Sequence, residues 1–566
     1  MISVHYNIKQ LFLKFFNFGI IILFCSEISL AETDSSSTNH SDSPIQSKEL
    51  AIEKFTLPPI PLSQTDAHQI PSTQRILIKK ITILGNTLLS HSELTEISKP
   101  YLNRKLSFSD LQTLRDELTA RYIKQGYISS GAVLPEQKIV NNTVEFHIIQ
   151  GKLNALQIKT DGRFPKKYIK KRLQNTANPA LNIITLERQL QLLQRDNRIR
   201  KIDAELVPAN QFGESDLYVS IEEERPYSIS LGANNIHSPT IGAETGQVKL
   251  YHGNVTGIAD QLFVDFNYTE GLNDLAARYE IPLHSSGTSL DLHFQWVESE
   301  IIDKNFADLN IESRSQTYGV TLKQTVFQSL ENHLELFLTG EYRKTKSFLL
   351  GSGFSFSDGP ENGLSKIAVL RFGQNWLYND NHQVFAARTT LSLGLDVLGA
   401  TQNSGKIADG QFLHVLGQLQ WARKFDFIDS KVIVRTDFQF SDSALLGVEQ
   451  FSVGGFGTVR GYRENLLVRD NGVVGSIEYR IPLWRSNSPT ILIELASFVD
   501  AGYSSNQERA TNGPRTLSSA GLGLLGSFSK YASFQFYWGH AFREIKLFQE
   551  SNLQDDGFHF ATQFNW

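Results

Sequence analysis

The sequence predicts a transmembrane β-barrel of about 16 antiparallel strands preceded by two small α+β domains, and three observations carry that expectation. From Pro226 onward apolar and polar residues alternate with period two. The connections in that region alternate between short turns and longer loops. Between Arg75 and Arg225, two apolar stripes at helical spacing lie among short strand-like runs.

The chain has 566 residues, enough for a large barrel with accessory domains. Lys9 and Lys14 precede an apolar run from Phe15 to Cys25, and Ser29-Leu30-Ala31 offers a small-x-Ala cleavage site, so residues 1–31 read as a secretory signal peptide. Cys25, the only cysteine, lies inside that leader, which leaves no disulfide framework beyond it. Phe24 is a poor neighbour for a lipid-modified cysteine. Residues 32–74 are rich in Ser, Thr, Asp and Pro and contain Leu57-Pro-Pro-Ile-Pro61, a flexible linker with a stiff proline stretch and room for a short helix around Ser47 to Phe55.

The α+β texture divides at residues 75–151 and 152–225. In the first unit Leu111, Leu114, Leu118 and Tyr122 follow a Ser107-x-x-Asp110 cap; in the second Leu186, Leu190 and Leu193 follow Thr185. Val144 to Ile149 and Leu217 to Ile221 read as strands. Ile81-Thr-Ile-Leu-Gly85 recurs in outline as Ile158-Lys-Thr-Asp-Gly162, which suggests a repeat.

Over 226–566, Leu262, Val264, Phe266 and Tyr268 alternate with Phe263, Asp265 and Asn267, and Leu290, Leu292, Phe294 and Trp296 with Asp291, His293 and Gln295. One apolar and one polar face fit lipid outside and water inside. Short turns at Asn379 to His382, Asp426 to Ser430 and Arg485 to Pro489 alternate with loops such as Thr401 to Gly410 and Ser504 to Ser518. The last strand places Phe558, Phe560, Phe564 and Trp566 on one face and His559, Gln563 and Asn565 on the other.

A net charge of -5 gives no basic footprint for nucleic acid. No phosphate-cradling GxxxxGK[ST] loop occurs, and the His, Asp and Glu residues form no ligand or triad spacing, so neither an enzyme, a cofactor nor a metal is expected.

One connection stands apart. GGFGTVRGYREN, residues 454–465, interrupts the strands between Lys431 to Ser441 and Val473 to Leu483 on the long-loop side. On composition alone it reads as a solvated surface loop. Its glycines would also let it fold back into the barrel and present Arg460, which there needs an anionic partner or water. Along the strand Ile491 to Tyr503, Glu494, Phe498, Asp500 and Gly502 share the face opposite Ile493, Leu495 and Val499, which points Asp500 at the lumen.

Val459-Arg460-Gly461-Tyr462 resembles the VRGY loop motif, and Phe498-Val-Asp500-Ala-Gly502 the F-x-D-x-G strand motif, of the outer-membrane transporters of two-partner secretion, the haemolysin and filamentous-haemagglutinin exporters. The α+β units resemble paired POTRA domains, and Asn254-Val-Thr-Gly257-Ile-Ala-Asp260 the family's early barrel pattern; Trp566 departs from the commoner final Phe. The resemblance implies a bacterial outer-membrane pore, with its POTRA domains in the periplasm, that exports one large secreted passenger protein captured by those domains. It implies contact between Arg460 and Asp500 inside the lumen, a plug helix within residues 32–62, insertion into outer-membrane lipid by the barrel-assembly machinery, and no cofactor. The alternative within the superfamily is an outer-membrane protein insertase, which usually carries more POTRA domains. The passenger remains open among adhesin, cytolysin, haem-acquisition protein and contact-dependent toxin.

Overall fold

A computed structural model describes residues 75–487, 490–545 and 552–566. The expected signal peptide (1–31) and the expected plug helix and linker (32–74) lie outside the described residues. The chain forms two compact bodies that meet in sequence at Arg225 and Pro226.

The amino-terminal body holds two α+β units that share a path of strand, two helices and two strands, to which the first adds a two-stranded pair, Ile76–Ile78 with Arg104–Leu106. In the first, Lys80–Leu84 is followed by α1 (His91–Ser98) and α2 (Phe108–Lys124), then Gly131–Val133 and Thr143–Ile149. In the second, Lys152–Thr160 is followed by α3 (Lys166–Gln174) and α4 (Ile183–Gln194), then Ile199–Pro208 and Glu214–Glu223. Each three-stranded sheet places its last strand in the middle, parallel to the first and antiparallel to the second. The faint sequence repeat is therefore a repeat of topology.

Helix α2 starts where Ser107 and Asp110 close a capping box, each side chain satisfying the other's backbone N–H. It buries Leu111, Leu114, Leu118 and Tyr122 against Val144, Phe146 and Ile148 of the sheet. Helix α4 begins earlier than Thr185: Asn182 is its cap, accepting from the amides of Ile184 and Thr185, so Thr185 lies in the first turn. The Asn182 amide also donates to the Gln125 carbonyl at 2.9 Å and Ile183 N to the Gly126 carbonyl at 2.9 Å, so this cap sews the two units together.

Glu93, in the first turn of α1, braces the first unit. Its carboxylate accepts from Ser90 N at 3.0 Å, Arg121 Nη2 at 2.7 Å and Gln125 Nε2 at 2.8 Å, joining α1 to α2. The Ser90 amide and hydroxyl, then Arg121, hold its pKa down to about 2 from an ordinary 4.5. A depressed carboxyl stabilises the fold above its unfolded value, and that contribution disappears as pH falls through its folded value. Urea melts of the 75–225 fragment should therefore lose stability between about pH 4.5 and about pH 2, and Glu93→Gln should flatten that part of the profile. Identical pH profiles for the two proteins would remove Glu93 from the account.

The second body is a closed antiparallel barrel. Its sixteen long strands are β1 (Tyr227–Asn234), β2 (Thr245–His252), β3 (Gln261–Thr269), β4 (Leu272–His284), β5 (Thr288–Glu300), β6 (Glu312–Gln328), β7 (Asn332–Leu349), β8 (Leu364–Asn379), β9 (Gln383–Leu395), β10 (Leu413–Phe425), β11 (Ser430–Ser441), β12 (Asn471–Asn487), β13 (Thr490–Ser505), β14 (Thr516–Phe528), β15 (Ala532–Ala541) and β16 (Phe558–Asn565). β16 closes on β1 from Ala561 opposite Asn234 to Asn565 opposite Ser230. Strand β12 continues past the expected turn at Arg485 as far as Asn487, with a register shift between Pro482 and Trp484. Proline lacks the N–H that a regular ladder would use there.

The two faces separate as the alternation requires. Tyr318, Val320, Leu322, Phe372, Leu391, Ile477, Val499, Leu522 and Phe536 face out, whereas Asp291, Thr321, Thr339, Gln418, Glu478 and Asp500 are buried inside.

Candidate functional site

The residues 442–470 between β11 and β12 turn back into the barrel. Phe451–Val453 pairs with Leu467–Arg469 as a two-stranded ribbon, and the tip at 454–466 hangs from it. Gly454 (φ 115°), Gly455 (φ 107°) and Asn465 (φ 57°) take the left-handed backbone that turns the chain at both ends of the tip. Val459, Arg460, Gly461 and Tyr462 are buried. Burial excludes the solvated surface loop that composition alone suggested.

Arg460 is 1 % exposed. Its Nε donates to Asp500 Oδ2 at 2.8 Å and its Nη2 to Asp500 Oδ1 at 2.9 Å, a bidentate fork on β13, while its backbone N–H also donates to Oδ2 at 3.0 Å. Its Nη1 meets Glu478 of β12, and Nη2 reaches Ser476 Oγ at 3.1 Å. Strand register explains the convergence, because Ser476 lies opposite Asp500 and Glu478 opposite Phe498. The guanidinium also sits 3.6 Å from the Phe498 ring centroid and 4.6 Å from that of Tyr537. Both π faces attract the cation, so aromatic and carboxylate groups together replace its lost hydration.

The rest of the tip is fastened to the last strands. Gly461 (φ 88°) packs so tightly that a Cβ there would stand 2.7 Å from the Gly539 carbonyl oxygen of β15. Its N–H donates to His559 Nε2 at 3.0 Å, so that ring carries its proton elsewhere. Tyr462 donates its hydroxyl to the Ser518 carbonyl at 3.1 Å. Arg463 grips Asp555 through Nε at 2.5 Å and Nη2 at 2.6 Å, and Glu464 N donates to Gln554 Oε1 at 2.9 Å. Gly502 lies under the tip, where a Cβ would stand 2.5 Å from Val453 Cγ1 and 3.1 Å from Val459 Cγ2.

The structure thus brings Arg460, Asp500 and Phe498 into direct contact and seats Val459, Gly461, Tyr462 and Gly502 around them. Sequence reading missed Glu478, Tyr537 and Asp555, and it placed His559 on the polar face of the last strand without assigning it to the tip. Alternation was the available signal, in β12, which buries Ser476, Glu478 and Arg480, as in the last strand, and it marks a face without naming a partner. Asn254 to Asp260 forms the connection between β2 and β3, where Asp260 accepts from Thr256 N at 3.0 Å and Asn254 Oδ1 from Ala259 N at 3.0 Å.

A sixteen-stranded barrel with an apolar outer face, a polar interior entered by its own loop, and a pair of α+β units ahead of it defines an outer-membrane β-barrel transporter. The chain belongs to the family described as haemolysin secretion/activation protein ShlB/FhaC/HecB, which matches residues 213–526, and a POTRA domain of the ShlB type matches residues 76–151. It is 26% identical over 413 residues to an outer membrane transporter CdiB of Escherichia coli O6:K15:H31 (strain 536 / UPEC), covering 70% of this chain and 67% of that one. It is 23% identical over 494 residues to the heme/hemopexin transporter protein HuxB of Haemophilus influenzae (strain ATCC 51907 / DSM 11121 / KW20 / Rd), covering 80% and 82%. In fold it resembles the solved CdiB from Escherichia coli, with a TM-score of 0.67 and 21% identity over 91% of this chain and 95% of that one. The protein is accordingly a two-partner secretion transporter: its barrel spans the outer membrane, its POTRA domains lie in the periplasm, and it exports a secreted partner protein.

Proposed function

We propose that the tip at 454–466 is a latch across the export path and that the POTRA domains capture the partner before it enters. The observation that carries the latch is the seating of Arg460. A cation 1 % exposed inside a channel has its guanidinium bound by carboxylates of two wall strands, an arrangement that holds a movable loop against the wall without covalent attachment. Val459, Gly461 and Tyr462 shape the seat, Phe498 and Gly502 line it, and Asp500 receives the fork.

Capture has a physical mode at the outer strands of the two three-stranded sheets, each with a sheet neighbour on one side, to which an extended segment of the partner can add a strand. The apolar outer face takes outer-membrane lipid, and a chain of this kind is inserted by the barrel-assembly machinery. The 75–225 fragment should bind the partner's amino-terminal domain in isothermal titration calorimetry. A folded fragment that gives no heat of binding would overturn capture and leave the latch untouched.

A further inference from the structure

A second ion cluster, apart from the Arg460 seat, grips the same loop near its root. Glu449, 7 % exposed, lies in the limb that descends from β11. Arg371 of β8 forks it bidentately, Nη2 to Oε1 at 2.8 Å and Nη1 to Oε2 at 3.0 Å, and His414 Nε2 of β10 lies 3.1 Å from Oε2. Arg343 of β7 donates to the Val448 carbonyl at 3.1 Å, and Glu341 accepts from both arginines, at 3.2 Å and 3.3 Å. Gln439 ties the two limbs together, donating to the carbonyls of Glu449 at 2.9 Å and Asp470 at 3.1 Å. Above this, Ala444, Leu445 and Leu446 pack with Ile367, Val369, Ala408 and Phe412 in an apolar cluster.

The two attachments differ in kind. The root combines a buried bidentate pair, backbone capture and an apolar core, and joins strands β7, β8 and β10. The tip hangs beyond Gly454, Gly455 and Asn465, whose left-handed backbones are the natural bending points, and its seat lies on β12, β13, β15 and β16. We propose that Glu449 and Arg371 are positioning residues: they fix the stem of the loop, so that the channel opens by the tip alone swinging away from Asp500 while residues 442–453 stay on the wall. This rests on the reading of the tip as a latch.

The test uses the whole protein in planar bilayers and needs no export partner. Asp409 and Leu445 face each other across a single parallel bridge, so Asp409→Cys with Leu445→Cys should cross-link the stem on oxidation. The oxidised protein is expected to keep the opening events of the reduced one. Loss of openings on oxidation and their return with dithiothreitol would show that the whole loop must leave, and would overturn the proposal. In a second arm, Gly457→Cys reports on the tip, since a Cβ there has nothing within 4 Å. Glu449→Gln in that background should raise maleimide labelling about fivefold, a typical size for coupling between sites, with heat-modifiable migration of the barrel unchanged. Arg371→Lys, which keeps the charge without the fork, should fall between. Labelling at the parental rate in both variants would sink the positioning role. The latch reading fails separately, if Arg460→Ala leaves that labelling unchanged.

Discussion

Arg460→Ala is expected to cut secretion of the partner more than about tenfold while the barrel still reaches the outer membrane and keeps heat-modifiable migration. Removing one member of a buried ion pair costs about 3–5 kcal/mol, because the survivor stays desolvated and unpaired; a water-filled lumen reduces that figure without cancelling it. The structure also orders the variants. Among the described residues, the hydrogen bonds that the Asp500 side chain accepts all come from Arg460, whereas Arg460 also binds Glu478 and Ser476. Arg460→Ala therefore leaves the Asp500 carboxylate one backbone N–H and no cation, and Asp500→Ala leaves the arginine two of its partners. The defect should be graded: Arg460→Ala worst, Asp500→Ala next, and Glu478→Gln mildest, since glutamine keeps a hydrogen-bond acceptor there. Single-channel recordings should show larger or more frequent openings in the same order. Wild-type secretion by both Arg460→Ala and Asp500→Ala would reduce the contact to a structural detail.

Gly461→Val is the other large effect, and it acts through shape alone. The backbone at Gly461 is left-handed (φ 88°), and the atoms that a Cβ would meet, the Gly539 carbonyl oxygen at 2.7 Å and carbon at 2.8 Å, belong to a strand held in the barrel ladder. Backbone conformation costs about 1–2 kcal/mol and overpacking about 1–3 kcal/mol more, with no flexible side chain to yield. The tip should then fail to seat, raising conductance and lowering secretion more than about tenfold although every charge is intact. Gly457→Ala is the matched control with open space around it and should behave as wild type. Equal behaviour of the two would mean that the close approach to β15 has no part in holding the tip.

These arguments need partners that lie far apart in the chain, and that distance sets what the sequence could disclose. Period-two alternation identified the barrel and the inward side of β13, because a strand's faces are fixed by its own residues. The stripe Leu111, Leu114, Leu118 and Tyr122 likewise announced α2, whose cap lies within four residues of it. Strand ends were harder. A strand such as β7 has 18 residues, whereas a bilayer needs about 9–11, so ends beyond the lipid carry no apolar pattern to mark them. Helix α4 is capped by Asn182 and not at Thr185, and that side chain also donates to the Gln125 carbonyl in the other unit, a contact that the local sequence does not carry. Glu478 was out of reach for a related reason: alternation says that a carboxylate faces the lumen, and only closure of the ring says which arginine it finds there; Glu449, in the loop, has no strand alternation to place it at all.

The fastenings of the tip also make its seating depend on the end of the chain. His559, Asp555 and Gln554, which hold Gly461, Arg463 and Glu464, lie 98, 92 and 90 residues further along the chain. Contacts of such separation carry a larger loop-closure entropy than the 40-residue contact between Arg460 and Asp500. Without β15 and β16 the tip keeps Asp500, Glu478 and Ser476 but has no finished seat. Gly539 and His559 belong to those two strands, so the strand that closes the ring on β1 also completes the seat. A channel that left the assembly line without its last strand would be leaky as well as unstable, and a seated latch is in effect a certificate that the wall is whole.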